Sequence, residues 1–181
     1  MATRANTTIA VSFIALTSLT FVWWKANERA VAADRNETAL SSSASKLWVL
    51  RLHPGDDLVD AIMEFSRRHS IQAGGVVTCV GSLSHARLRF ANQNDYADLN
   101  NKGAHFEIVS LVGTFSTTGG HFHLSLANEK GEVFGGHANS GNKIYTTAEL
   151  IIVEGVDWVF QREKDPVTGY KELFPVQRTA R

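Results

Sequence analysis

The sequence predicts an α+β domain built on a mostly antiparallel sheet of about seven strands, with one main helix near the domain start. Three observations carry this. Apolar and polar residues alternate through most of the second half of the chain. Glycine-containing turns separate the alternating runs at hairpin spacing. Apolar residues recur at helical spacing in an early stretch, at Leu58, Ile62 and Phe65. Many strands joined by short turns around a single helix point to an antiparallel sheet and not to repeated βαβ units.

Length and composition agree. A chain of 181 residues suits one domain with a core, and an apolar content of 44% with 20% charged residues is ordinary for a globular protein. The formal net charge is zero, which removes the simplest electrostatic case for binding a phosphate backbone, so nucleic acid is not an expected partner. The single cysteine, Cys79, excludes an intrachain disulfide; inside Val76-Val77-Thr78-Cys79-Val80 it reads as a buried small side chain.

Residues 1–25 form an apolar leader. Within it, Ile9 to Trp24 is almost uncharged, preceded by Arg4 and followed by Lys25, Glu28 and Arg29. The run is shorter than the roughly 20 apolar residues of a spanning helix, and Ser12, Thr17, Ser18 and Thr20 dilute it, although Trp23 and Trp24 suit a membrane interface. It reads either as a membrane anchor over residues 9–24 or as a signal peptide cleaved near Ala30 and Ala32; an organelle-targeting segment or a disordered tail is the remaining alternative. The two main readings give a membrane-anchored protein or one in the secretory pathway, with which sequons at Asn6 and Asn36 are compatible. Residues 26–45, polar and rich in alanine and serine, read as a disordered linker. The folded domain is expected over 46–176 and a short tail over 177–181.

Leu47 to Leu52 alternates as a first strand closed by Pro54-Gly55. Asp56 is placed to cap the helix, and Arg67, Arg68 and His69 lie at its negative end. Gly74-Gly75 opens a long β region through Phe90 that passes Gly81. The segment from Ala91 to Gly103 is a polar excursion. A strand from His105 to Phe115 follows, with Phe106, Ile108 and Ser110 on one face and Glu107, Val109 and Leu111 on the other. Ile144 to Val153 and Val156 to Arg162 complete the set, split at Glu154-Gly155.

The stretch Gly119 to His137 holds three of the seven histidines. Two alternating runs flank a polar turn, which is a hairpin signature. His121 and His123 share a face because side chains alternate along a strand. With Glu129-Lys130-Gly131 as the loop and Gly131 left-handed, Asn128 pairs with Glu132, and His137 falls opposite His123. A slip of one residue would send His137 to the other face, so convergence of the three imidazoles depends on Gly131.

Several segments in order resemble one known family. They are Leu52-His53-Pro54-Gly55-Asp56-Asp57, Gly81-Ser82-Leu83-Ser84 with Leu88-Arg89-Phe90-Ala91, and Phe106-Glu107-Ile108-Val109-Ser110-Leu111. They continue with His121-Phe122-His123-Leu124-Ser125-Leu126-Ala127, Gly135-Gly136-His137, Tyr145-Thr146-Thr147-Ala148-Glu149 and Asp165-Pro166-Val167-Thr168-Gly169-Tyr170. From about Trp48 to Leu173 the chain resembles the plant and prokaryote conserved, or PPC, domain. The resemblance implies an α+β fold that assembles as a homotrimer. It also implies a divalent-metal site at the positions of His121, His123 and His137. Prokaryotic relatives are often labelled DNA-binding, and plant relatives bind AT-rich DNA through a separate AT-hook, whose Arg-Gly-Arg-Pro core this chain lacks.

Three imidazoles with an open position suit zinc or another divalent metal; the alternative is that they are polar groups satisfied in an interface or pocket floor. Glu107 and Glu149 are the carboxylates to examine as acid/base or supporting groups, with Glu107 paired to Arg89 as the bland alternative. His85 reads as a half-exposed strand residue, and His53 and His105 as turn and strand-start residues. The sequence therefore points first to a non-enzymatic, trimeric PPC-domain protein with a candidate metal or small-ligand site. A metal-dependent enzyme of unknown reaction and a DNA-associated protein are the alternatives.

Overall fold

The computed structural model describes residues 42–99, 103 and 105–178. Ten strands and one helix run in the order β1 (Ser45–Leu52), α1 (Leu58–Arg68), β2 (Gly74–His85), β3 (Arg87–Arg89), β4 (Ala97–Asp98), β5 (Phe106–Ser116), β6 (Gly119–Ala127), β7 (Val133–Ala138), β8 (Lys143–Gly155), β9 (Trp158–Lys164) and β10 (Lys171–Gln177). Eight strands form one sheet in the order β1-β8-β2-β5-β6-β7-β3-β4, all neighbours antiparallel, and β9 with β10 makes a separate ribbon. The α+β fold with a mostly antiparallel sheet is as expected. The additional strands are the short β4, inside the polar excursion, and β10, where Pro175 interrupts the strand pattern.

The helix begins at Asp57, not Asp56. The Asp57 carboxylate accepts the Asp60 N–H (3.3 Å) and the Gly141 N–H (2.7 Å), while Asp56 accepts the N–H of His53 (2.8 Å). Leu58, Val59, Ile62 and Phe65 face the sheet and join one core with Leu111, Phe115, Phe122, Leu124, Leu150 and Ile152. Burying each such side chain stabilises the fold by roughly 1.5–3 kcal/mol. Leu111 belongs to this core, contrary to the simple alternation. A bulge between Ile108 and Ser110 inserts Val109 as an extra residue, so Leu111 returns to the face of Ile108. Cys79 is buried as expected, and burial pushes its thiol up to about 12.

The membrane expectation is corrected. No helix among the described residues is long and apolar enough to cross a membrane. The helix α1 has 11 residues, about 16 Å of rise against a hydrocarbon core of about 30 Å. The run 9–24, on which the membrane-anchored or secretory location rested, lies outside the described residues. Membrane anchoring therefore has no support in the structure.

The sheet face away from α1 positions the histidines. One transverse row across it is Leu47, Val153, Gly75, Thr114 and His121, each paired with the next. The adjacent row is Val112, His123, His137 and Arg89.

Candidate metal centre

The turn between β6 and β7 has the geometry that the local sequence requires. Gly131 has φ +76°, its N–H donates to the Asn128 carbonyl (2.9 Å), and the Asn128 N–H donates to the Glu132 carbonyl (3.1 Å). The Asn128 side chain caps the loop by accepting the N–H groups of Lys130 (2.9 Å) and Glu132 (3.0 Å). This register sets His123 opposite His137. The hairpin's outer side is held in turn by β3. A Cβ on Gly136 would lie 2.7 Å from the Arg89 carbonyl oxygen, so glycine there lets Arg89 approach.

Three imidazoles meet as a result. The Nε2 atoms of His121 and His123 are 3.1 Å apart, and one ligand nitrogen from each of His121, His123 and His137 lies within 4.8 Å of the other two. Nitrogens bound to one tetrahedral zinc at about 2.0–2.1 Å stand about 3.3 Å from each other, so the cluster needs only a small contraction to hold an ion. Nδ1 of His137 is buried with no hydrogen-bond partner, an orphaned polar atom that a metal would satisfy.

Electrostatics favours the ligand form of these rings. Burial, followed by His121 and Arg89, pulls His137 down to about 4, and burial together with His123 lowers His121. Both rings are thus held neutral, as coordination requires. The donor set is three nitrogens with no carboxylate among the described residues, which suits zinc and neighbouring divalent metals better than magnesium or calcium.

The cluster opens onto a cleft of about 530 Å³ lined by Arg89, Gly120, Arg162, Tyr170, Lys171 and Glu172 as well as the histidines. The ribbon β9–β10 supplies the far wall. Its turn is fixed by Asp165, whose carboxylate accepts the N–H groups of Val167 (2.7 Å) and Thr168 (2.8 Å). Arg162 reaches back to the sheet, where Nη2 donates to the carbonyl (3.1 Å) and hydroxyl (3.0 Å) of Thr114, the residue paired with His121. Burial lowers its guanidinium from the usual value, an effect that Glu172 partly offsets.

Glu107 and Glu149 lie elsewhere. Glu107 pairs with Ala127, four residues beyond His123 on β6, about 13 Å along the strand. Glu149 is on β8, three strands from β6, about 14 Å across the sheet. Arg89 is three strands from Glu107, and its Nη1 donates to the Gln93 carbonyl (3.3 Å) instead. His85 meets Asp98 (3.1 Å), His69 packs on Trp48 and Phe65, and His105 stacks on Tyr145. Sequence reasoning missed Arg162, Tyr170, Lys171 and Glu172. The available signal was the Asp165-Pro166-Val167-Thr168-Gly169 turn between two strand-like runs.

The Plants and Prokaryotes Conserved (PCC) domain matches residues 39–156 of this chain. The chain belongs to the PCC domain family. The bifunctional protein GlmU of Synechococcus sp. (strain JA-3-3Ab) is 39% identical over 142 residues, 78% of this chain and 22% of that protein. The PCC chain thus spans about a fifth of that relative's length. Among solved structures, a hypothetical protein of Salmonella enterica superposes with a TM-score of 0.73 at 33% identity, covering 77% of this chain and 99% of that one. A metal-containing protein of Archaeoglobus fulgidus gives a TM-score of 0.59 at 27% identity, covering 75% of the PCC chain and 99% of its own.

Proposed function

We propose that this PCC domain is a non-enzymatic, metal-binding module in which His121, His123 and His137 hold zinc or another divalent ion, and that it works as a homotrimer. The observation that carries the metal reading is the convergence of three imidazoles, one of which, His137, also has a buried Nδ1 without a hydrogen-bond partner. The similarity to the metal-containing protein of Archaeoglobus fulgidus supports it. The oligomer reading rests on the same sheet face, where Val49, Val80, Val109 and Val112 are all more than half exposed. Such a stripe of apolar side chains is stabilised by a partner surface.

A metal-dependent enzyme is the second reading, and the cleft beside the ligands favours it. Its carboxylate would be Glu172, which lines that cleft. The DNA-associated reading has no comparable feature, because the chain has zero net charge and no AT-hook core.

Metal analysis of the purified chain after loading with zinc tests the site. About one ion per chain is expected, since one chain supplies three ligands. His123→Ala should retain none, and a wild-type chain that retains no ion overturns the site. Sedimentation of the same sample should give a mass of three chains; a monomer overturns the trimer.

A further inference from the structure

We propose that the cleft beside the three histidines takes an oxyanion, a carboxylate or a phosphate carried on a small organic body, whose oxygen completes the metal's coordination and whose charge is met by Arg162, Arg89 and Lys171. This rests on the metal reading above and gives that site its ligand class.

Charge is the first ground. The chain as a whole is neutral, yet its cleft places Arg89, Arg162 and Lys171 against one carboxylate, Glu172. Glu172 is in part engaged elsewhere, accepting the Thr168 hydroxyl (3.0 Å). The three metal ligands are neutral imidazoles, so nothing in the cluster cancels the charge of a divalent ion. A bound metal therefore adds to an existing excess of positive charge in a partly desolvated site. An anion removes the imbalance.

The geometry of Arg162 is the second ground. Among the described residues the only hydrogen bonds of its guanidinium run from Nη2 to Thr114, and it makes no ion pair within 4.0 Å. Thr114 is the cross-strand partner of His121, so the guanidinium is pinned beside a metal ligand with Nε and Nη1 left over. A planar fork fixed in this way is suited to two-point recognition of a carboxylate or phosphate. Arg89 is placed on the opposite side by strand register, directly paired with His137, while its Nη1 donates to the Gln93 carbonyl (3.3 Å) and its other nitrogens are left over. The two arginines come from different sheets and flank the ligand atoms from β9 and from β3.

The cleft is also too large for a bare inorganic ion. Its volume of about 530 Å³ lies in the range of small-molecule sites, roughly 300–1,000 Å³. Tyr170 adds an aromatic surface to the wall, against which an organic body can lie.

The test uses the full chain loaded with cobalt(II), whose visible bands report the coordination sphere. Inorganic phosphate is titrated in one arm and acetate in the other. Saturable changes in the cobalt bands are expected, and the arm that responds assigns a phosphate or a carboxylate class; a response in both assigns the shared oxyanion chemistry. Arg162→Gln should weaken the responding anion by at least about tenfold, as loss of charge-assisted hydrogen bonds does, with cobalt affinity unchanged. Arg89→Gln, on a different strand, carries the same test if Arg162→Gln fails to fold. Cobalt bands that neither anion moves overturn the inference and leave the metal site standing. Absence of cobalt binding overturns both. An anion affinity untouched by both arginine changes overturns the assignment of the cleft.

Discussion

Strands β5 and β6 present two different chemistries on their two faces. Phe122 sits between His121 and His123 in sequence, points to the helix side, is 2% exposed and stacks on Phe115 at 5.9 Å between ring centroids. Its two neighbours point the other way, into a cleft walled by charged groups. The helix side is closed: α1 packs on it, and among the described residues its buried side chains leave no polar atom without a partner. The opposite side is covered only in part, by the β9–β10 ribbon, and it retains an orphaned imidazole nitrogen and exposed valines. Stability is concentrated on one face and unmet bonding capacity on the other. Residues adjacent in sequence should therefore respond to substitution in opposite ways.

The largest effect is expected on the closed face. Phe122→Ala removes a buried ring and should cost about 3–5 kcal/mol, a large part of the 5–15 kcal/mol that holds a typical domain together. His121→Ala, one residue away, should leave the stability of the metal-free protein within about 0.5 kcal/mol, as for a surface position, while abolishing metal retention. Urea unfolding of both variants without metal checks the contrast. Equal losses would mean that the two faces are not energetically distinct.

A smaller effect is expected at the turn that keeps the faces in register. Gly131→Ala forces a side chain into the left-handed region at φ +76° and should cost about 1–2 kcal/mol without loss of metal. Urea unfolding and the zinc content of the folded variant check both; loss of zinc from a folded Gly131→Ala protein would show that the change moves the two strands out of register.

This turn was legible in the sequence because its causes are local: Asn128 caps the loop and Gly131 supplies the one conformation that other residues resist. The remainder was less legible where the cause lay elsewhere in the chain. Leu111 changes face through a bulge that short-range alternation does not reveal. Asp57 displaces Asp56 as the cap because it also accepts an N–H from distant Gly141. Strand β10 escaped because Pro175 breaks a strand pattern and is tolerated only at an edge, here in a two-stranded ribbon. Arg162 escaped with it, since its role depends on the ribbon folding back to Thr114. The convergence of the three histidines was thus readable, whereas the charged wall beside them was not.

The smallest effect is expected at the two carboxylates that sequence reasoning singled out. Glu107 and Glu149 are exposed and distant from the imidazoles within one chain, and neither makes an ion pair among the described residues. Glu107→Gln and Glu149→Gln should therefore change stability by less than about 0.5 kcal/mol and leave zinc affinity unchanged. The comparison is sharpest at Glu149, which shares the open face with the histidines and lies among exposed apolar side chains, opposite Val80. If Glu149→Gln weakens zinc binding, the effect cannot pass through contact within one protomer. A second copy would then have to bring that carboxylate to the cleft, and zinc affinity would depend on protein concentration in the wild type and lose that dependence in the variant.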